Sequence, residues 1–420
     1  MRGVEASESI VASNGTKLVA KGARIDASLR DRLLQHKLAK PLEQCVQVVD
    51  AVGSERLREV AGELTERHAL LRALDANERA GSLPDALANL KLTPPLQSLL
   101  SVYVDSQDSR LAHTVGVAML TLGLARRLWP GEGERHRTLA VAGLVHDAGE
   151  LYIDPAFLRP QSELRPEQWR HVVSHPAVAH KVLADMAGAG PAVAVPVLLH
   201  HERLDGFGYP RGVADEQFTL EGQVLAVAEW LMALLESGFA PLTRASLARQ
   251  LMPGEFGDAV LDIVAAAARA GLKMAPETVP PVTVEDALPR VERIAAMLAR
   301  QRELLPWLDE EIGRVAPALR AVLQASRRRM QRMQASFSSL GFDAKQAAEL
   351  LAEWAALDNA DSVHREVATL LRELSWRMRE MERETWLRAW LLPPDDGAVV
   401  SQLMARLRGE PAAAAPATVK

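Results

Sequence analysis

Apolar residues return at three- and four-residue intervals over most of this chain, and the places where that rhythm fails mark its boundaries. Between Ala27 and Ala80, Leu29, Leu33 and Leu34, then Leu57, Val60 and Leu64, keep the spacing of amphipathic helices. Pro84 and the Pro94-Pro95 pair cut the next stretch into short helical pieces. Long helices are predicted over Leu96–Leu128, stopped by Pro130-Gly131, and over Arg135–Ala148. Another starts near Pro166, where proline followed by Glu167 suits a first turn, and a further one runs over Leu220–Leu235. Two segments depart from the pattern. Near the start, the run Asn14-Gly15-Thr16-Lys17-Leu18-Val19-Ala20-Lys21-Gly22 places a β-compatible stretch between turn residues, which predicts a small strand-containing cap. The stretch Leu204–Ala214 holds Gly206, Gly208, Pro210 and Gly212, too many breakers for regular structure.

Ala275–Pro281 reads as a linker. Beyond it, Val284–Leu392 mixes Ala, Leu, Arg and Glu with apolar residues at helical spacing, the pattern of a helical bundle or coiled coil. Pro306, Pro317 and Gly341 would divide it into about four helices. Five of the eight tryptophans lie here, Trp307, Trp354, Trp376, Trp386 and Trp390, and are expected as core or interface anchors. The run Arg327-Arg328-Arg329 is expected on a solvated face, since no aromatic residue interleaves it. The chain therefore divides into an N-terminal cap and helical region over 1–95, a central domain over 96–275, a C-terminal helical domain over 284–392 and a disordered tail over 393–420.

Length and charge narrow the classes of function. A chain of 420 residues exceeds one typical core, and 48% apolar with 25% charged residues is the balance of an ordinary globular protein. A formal net charge of -5 supplies no global attraction to a nucleic-acid polymer or an anionic membrane surface. An anionic substrate would need locally positive chemistry, such as metal ions. A single cysteine, Cys45, excludes an intrachain disulfide and fits a reducing compartment. Arg2, Glu5 and Glu8 precede no apolar run, so no signal peptide is evident, and Ala187–Leu199 is too short and proline-rich to span a bilayer. A cytoplasmic location is expected.

The chemistry is concentrated in the middle of the chain. His146-Asp147 in VAGLVHDAGE and His200-His201 in HHERLDGFGYPRG stand about fifty residues apart. Adjacent His-Asp and adjacent His-His are rarely needed for packing, because their buried nitrogens and carboxylates must be paired or metal-bound. His113, on an apolar helix, would taken alone more often be a hydrogen-bonded core residue than a ligand. The order along the chain changes that reading: His113, then His146-Asp147, then His175 in VVSHPAV, then His200-His201, then Glu229 in LAVAEWLMAL. Imidazole and carboxylate ligands together suit iron, manganese or zinc, and adjacent ligands at a helix end can serve two neighbouring ions. A binuclear metal centre follows. His136, His171 and His180 fall outside the series and are expected as surface or packing residues.

The segment from about Asp108 to Leu235 resembles an HD-GYP domain, a branch of the HD superfamily of metal-dependent phosphohydrolases. The likeness rests on His146-Asp147, on the loop HHERLDGFGYPRG with its Gly208-Tyr209-Pro210, and on similar spacings to His175, His200-His201 and residue 229. It covers under a third of the chain. The N-terminal NGTKLVAKG weakly resembles caps on some members, and the C-terminal helices resemble nothing in the family. The resemblance implies a mainly α protein: an all-helical HD-type domain, here with a small N-terminal α+β cap and a C-terminal helical bundle or coiled-coil region. It implies that His113, His146, Asp147, His175, His200, His201 and Glu229 hold two divalent ions, iron or manganese, with Asp147 bridging them. It also implies hydrolysis of cyclic di-GMP to pGpG or GMP. There His146 and Asp147 stand at the catalytic centre, and a hydroxide held between the metals attacks phosphorus in line. The loop in such proteins has been linked to contacts with diguanylate cyclase domains.

This chain departs from the family at several points. Glu150 stands where the family has lysine, and a carboxylate there would repel a phosphate diester unless neutralised or metal-bound. Glu229 replaces aspartate, lengthening the arm by one methylene, and Trp230–Ala240 lacks an Arg-Pro-Tyr-Arg-like stretch. Ser109 offers no carboxylate for a third metal, so two ions are expected. In the loop, the glycines and Pro210 could simply shape a turn that positions His200-His201. Arg203 and Arg211 could also approach substrate phosphates, Arg211 bidentately, and Tyr209 could be a loop anchor or a substrate contact. Two readings follow. One is a metal-dependent cyclic-dinucleotide phosphodiesterase, favoured by the full ligand set. The other is a catalytically weak or silent relative that binds a nucleotide or a protein, with the C-terminal helices as output or homodimer unit, favoured by Glu150 and the extra helical domain.

Overall fold

The computed structural model describes residues 3–76, 81–105, 109–159, 164–213, 215–277, 284–339, 360–390, 392 and 394–409. Part of the expected linker, together with Gly341, Trp354 and the chain past 409, lies outside them. The protein is mainly α. Strands are confined, among the described residues, to two antiparallel ribbons near the N-terminus, where Val4–Ala6 pairs with Val46–Val48 and Ile10–Val11 with Lys17–Val19. The Asn14-Gly15 turn closes the second ribbon, with the Asn14 side chain accepting from the Thr16 amide at 3.1 Å. Ala6, Ile10, Val19, Leu33 and Cys45 form the small core beneath. That core supplies what isolated two-stranded ribbons lack.

Contacts divide the chain into two compact units. The first comprises Met1–Ser162, His171–Glu202 and Phe218–Ser237, and the second Glu163–Arg170, Arg203–Gln217 and Gly238–Lys420. At the centre of the first unit runs the helix Ser109–Leu128, buried around most of its circumference by residues such as Val115, Val117, Met119, Leu120 and Leu124. A helix apolar all round must be wrapped by others, and here Gly133–Val145 and Leu220–Ser237 pack against it. Gly143 sets the closest approach: a Cβ there would lie 2.6 Å from Ala118 Cα and 2.9 Å from its amide nitrogen. The long helix expected over 96–128 is two, Pro94–Val104 and Ser109–Leu128. Residues 105–108 separate them in sequence, and 106–108 lie outside the described residues.

The second unit contains the helices Asp258–Met274, Val284–Arg314, Pro317–Ser339, Ala360–Trp390 and Pro394–Arg408. Pro317 opens a helix as expected, whereas Pro306 lies inside one. An interior proline costs about 3 kcal/mol. Leu304 and Leu308, on either side of it, are both buried in one core and offset that loss. The same core seats Val400 and Leu403, so the stretch just past 393, expected as tail, is helical up to Arg408. Trp376 and Trp386 are 45% and 37% exposed rather than buried, because Leu371, Leu374, Met378 and Met381 occupy the inward stripe of their helix. Trp307 does pack against the core. The arginine run is also not a uniformly solvated face, since Arg329 is 6% exposed and lies 3.5 Å from buried Glu255. Among the described residues, no helix is long and apolar enough to cross a membrane.

The Gly143 contact gives the first prediction. Gly143→Ala, which pushes a methyl group into Ala118 backbone, should destabilise the protein by ~1–3 kcal/mol, read from the midpoint of denaturant unfolding at unchanged m-value.

Candidate metal centre

Helix ends deliver most of the polar cluster in the first unit. His113 sits in the first turns of the central helix. The apolar helix Gly133–Val145 stops with His146 at its C-cap, and Asp147 begins the next, tighter turn. His175 opens the helix His175–Ala184, His200 caps Pro191–Leu199, and Glu229 projects from the middle of Leu220–Ser237. Gly149 lets the His175 helix settle on the turn after Asp147, because any Cβ there would overlap the His175 carbonyl and lie 2.9 Å from the Ala179 amide.

The backbone fixes which nitrogen each imidazole offers. Nδ1 of His146 lies 2.9 Å from the Gly143 carbonyl, that of His175 2.8 Å from Val172, and that of His200 2.6 Å from Val197. A carbonyl only accepts, so each Nδ1 carries a hydrogen and each Nε2 points inward, presenting its lone pair when the ring is neutral. His113 follows the same logic with a side chain, its Nδ1 donating to Glu236 Oε1 at 2.9 Å. Around these lone pairs, Asp147 Oδ1 stands 3.2 Å from His175 Nε2 and 3.4 Å from His200 Nε2. Oδ2 faces the other way, 3.1 Å from His146 Nε2 and 3.8 Å from His113 Nε2. Glu229 Oε2 completes that side at 3.2 Å from both His113 and His146. Two ligand groups result, Asp147 with His175, His200 and His201, and His113 with His146 and Glu229, the atoms of each within 4.8 Å of one another.

Such an arrangement asks for cations. Nε2 of His175 and Nε2 of His200 lie 3.2 Å apart, two acceptors face to face. His146 Nε2 and Glu229 Oε2 are buried 3.2 Å apart without a well-formed hydrogen bond, so each is left to a proton-mediated ion pair or a cation. The donor set of imidazole nitrogens and carboxylates fits a divalent transition metal.

A family model of the HD domain matches residues 98–257. Residues 98–257 are an HD domain. The family expected from the residues is thereby borne out, and so is its helical fold. The chain is 30% identical over 218 residues to a 3'3'-cGAMP-specific phosphodiesterase of Vibrio cholerae, a match covering 48% of this chain and 45% of that one. Over 151 residues it is 32% identical to a cyclic di-GMP phosphodiesterase of Pseudomonas aeruginosa, covering 36% of each. It is also 31% identical over 129 residues to a cyclic di-GMP phosphodiesterase response regulator of Xanthomonas campestris pv. campestris, covering 30% of this chain and 32% of that one. The matched part spans less than half the length of each relative.

Charge in the HD domain is unevenly shared. Burial alone would lower His113 and His146, yet the carboxylates reverse it: Glu229, with Glu236 and Asp147, raises His113 to about 11, and Asp147 with Glu229 raises His146 to about 10. Burial opposes the charge of Asp147 and Glu229, and the imidazoles override it, His146 holding Asp147 and His113 holding Glu229 well below the usual carboxylate range. On the other side, burial keeps His200 below its ordinary value. Burial together with His200 and His175 pushes His201 well below.

Glu150 is not the bare negative charge that the sequence suggested. Arg110 Nη2 lies 2.9 Å from its Oε2, and the Tyr103 hydroxyl reaches the same oxygen at 3.2 Å. Burial and the charge of Asp147 raise Glu150 to about 7, against the pull of His175 and Arg110. Arg110 could have been suspected, because it precedes His113 by three residues and shares its helix face. Tyr103 carried no comparable signal. Ser109, where a third-metal carboxylate was sought, is exposed.

Arg203, Tyr209 and Arg211 belong to the second unit, in a loop without helix or strand. Arg203 Nε is 3.8 Å from Glu255 Oε2, and its guanidinium lies 4.7 Å from the Phe256 ring centroid. Tyr209 packs edge-on against Trp169 at 5.8 Å, and Arg211 is exposed. The loop is gripped from the C-terminal helices. Phe207 is buried in their core, Arg388 donates to the carbonyls of Phe207 and, at 2.7 Å, of Gly208, and Arg328 donates to Asp205 at 3.0 Å.

Two outcomes test these arrangements. His113 and His146 sit above neutrality and a metal must displace their protons, so metal affinity should rise with pH through the neutral range. Calorimetry in buffers of different ionisation enthalpy should show proton release. Arg388→Ala should raise amide exchange across residues 204–213 by roughly 10- to 100-fold, since hydrogen bonds to charged groups are worth about 1.5–3 kcal/mol.

Proposed function

We propose that the HD domain is a metal-dependent phosphodiesterase for a cyclic dinucleotide, cyclic di-GMP or a close analogue such as 3'3'-cGAMP. The observation that carries this reading is the Asp147 carboxylate, with one oxygen turned to each ligand group. Asp147 would bridge two divalent ions, iron or manganese. His175, His200 and His201 would hold one, and His113, His146 and Glu229 the other. Bound ions would supply Lewis-acid charge at the phosphate and a water more acidic than bulk water. The protein's own share is positional. Three carbonyl tethers and the Glu236 carboxylate keep four Nε2 atoms aimed inward without a rotamer search, and Arg110 keeps Glu150 from presenting an unbalanced charge to an anionic diester. A cytoplasmic setting suits a buried thiol such as Cys45. The relatives' named activities support the substrate class.

The second reading, a binding module without turnover, is favoured by Glu150 beside the centre and by the large second unit. Its partner contacts would be a diguanylate cyclase at the 203–213 loop or a second copy through the C-terminal helices.

Metal analysis of the purified protein with turnover assays on cyclic di-GMP and 3'3'-cGAMP separates the two. The expected result is two ions per chain and hydrolysis of at least one of these dinucleotides. Asp147→Ala should lower that rate by at least about 100-fold, since even residues that only support a ligand cost 10- to 100-fold. Two ions with no turnover of either dinucleotide would transfer the case to the binding module.

A further inference from the structure

We propose that Tyr103 is a positioning residue for Asp147, aimed by the Glu150–Arg110 pair. The inference rests on the reading of Asp147 as a ligand shared by two ions.

Tyr103 comes from the helix Pro94–Val104 and is 2% exposed. Its hydroxyl lies 3.4 Å from Asp147 Oδ2 and 3.2 Å from Glu150 Oε2. One hydroxyl proton thus faces two carboxylates, and a well-aligned bond can form with only one of them at a time. Arg110 decides the balance between them. Its Nη2 donates to the same Glu150 oxygen at 2.9 Å, while its guanidinium carbon lies 4.4 Å from the Tyr103 ring centroid. The three side chains therefore form one cluster: arginine on glutamate, glutamate on hydroxyl, and the tyrosine ring under arginine. Two of them are tied to the centre by their own chain segments, Arg110 three residues before His113 and Glu150 three residues after Asp147.

The oxygen that Tyr103 faces is the one turned to His113, His146 and Glu229. A carboxylate oxygen has two lone pairs, so with one of them given to an ion on that side Oδ2 can still accept the Tyr103 proton with the other. The hydroxyl then holds the carboxylate in the plane the ligand group needs while the ion is bound, and the Glu150–Arg110 pair keeps the hydroxyl within reach of Oδ2. This also explains why an acidic side chain is tolerated three residues from Asp147: it is the acceptor end of the support, fixed by Arg110.

The test is stepwise metal titration of the full-length protein, using Mn2+ in competition with a chromophoric chelator. Tyr103→Phe keeps the ring beneath Arg110 and removes only the hydroxyl. It should weaken one of the two ions by about 10- to 100-fold, as loss of a supporting contact does, and leave the other within about 2-fold. Arg110→Met should reproduce that selective loss, and Arg110→Lys should recover part of it. The unfolding midpoint of the metal-free Tyr103→Phe protein should stay near that of the wild type. Unchanged affinities in both variants, or equal weakening of both ions, would overturn the inference while leaving the metal centre intact. A wild-type protein that binds no Mn2+ at all would instead remove the centre on which it rests.

Discussion

The HD domain is organised around a full negative charge held away from water. Asp147 is buried, and a buried carboxylate survives only with charge or hydrogen bonds around it. Imidazoles stand on both sides of it, and each brings its own burial cost, because its lone pair also needs a partner. The cost is met at helix ends. A helix leaves its last carbonyls without intrahelical donors, and His146 and His200 close those carbonyls with Nδ1 while turning Nε2 to the centre. One device thus caps a helix, selects a tautomer and aims a ligand. The apolar character of Gly133–Val145 and Pro191–Leu199 follows from it, since helices that end in a buried site must themselves be buried.

The second unit has a charged core of its own. Glu255 is buried among Arg203, Arg329 and Arg377, and Arg377 also approaches Glu373. Removing one member of such a set strands the others, at a cost of about 3–5 kcal/mol. Arg203 belongs both to this cluster and to the loop that begins one residue after Glu202. The loop's other anchors, Phe207 in the helical core and its carbonyls on Arg388, are likewise supplied by the C-terminal helices. Its glycines permit the path, and the helices determine it.

What could be read from the sequence was local. The order of polar residues from His113 to Glu229, the strand-containing cap, the breaker-rich loop and most helices were legible in residue spacing and in residues within a turn of one another. What escaped depended on distant partners. Proline rules put a helix boundary at Pro306, and only the shared core around Leu304 and Leu308 shows why there is none. Trp376 and Trp386 were expected in a core or at an interface, and the inward stripe of their helix, already filled by Leu and Met, keeps them out of the core. Arg329 sat in a run that suggested solvent, and its partner Glu255 is far away in sequence. Glu150 read as a liability for the same reason, because its neutralising partner lies forty residues upstream.

That partner alters the electrostatics of the whole centre. Asp147, Glu150, Glu229 and Glu236 place four carboxylates at the site or against its ligands, and Arg110 is the guanidinium paired among them. With neutral imidazoles these groups leave a formal charge of -3, which would repel a phosphate diester. Two divalent ions would turn that to +1. Had Glu150 come without Arg110, the same ions would only have cancelled the carboxylates and left no surplus to attract an anion. At about 4 Å and an effective dielectric of about 20, Coulomb energies amount to about 4 kcal/mol per pair of unit charges, so one charge would decide whether an ion-loaded centre attracts an anionic substrate or is merely indifferent to it. The ion pair between Arg110 and Glu150 is therefore what makes an acidic residue beside Asp147 compatible with an anionic substrate.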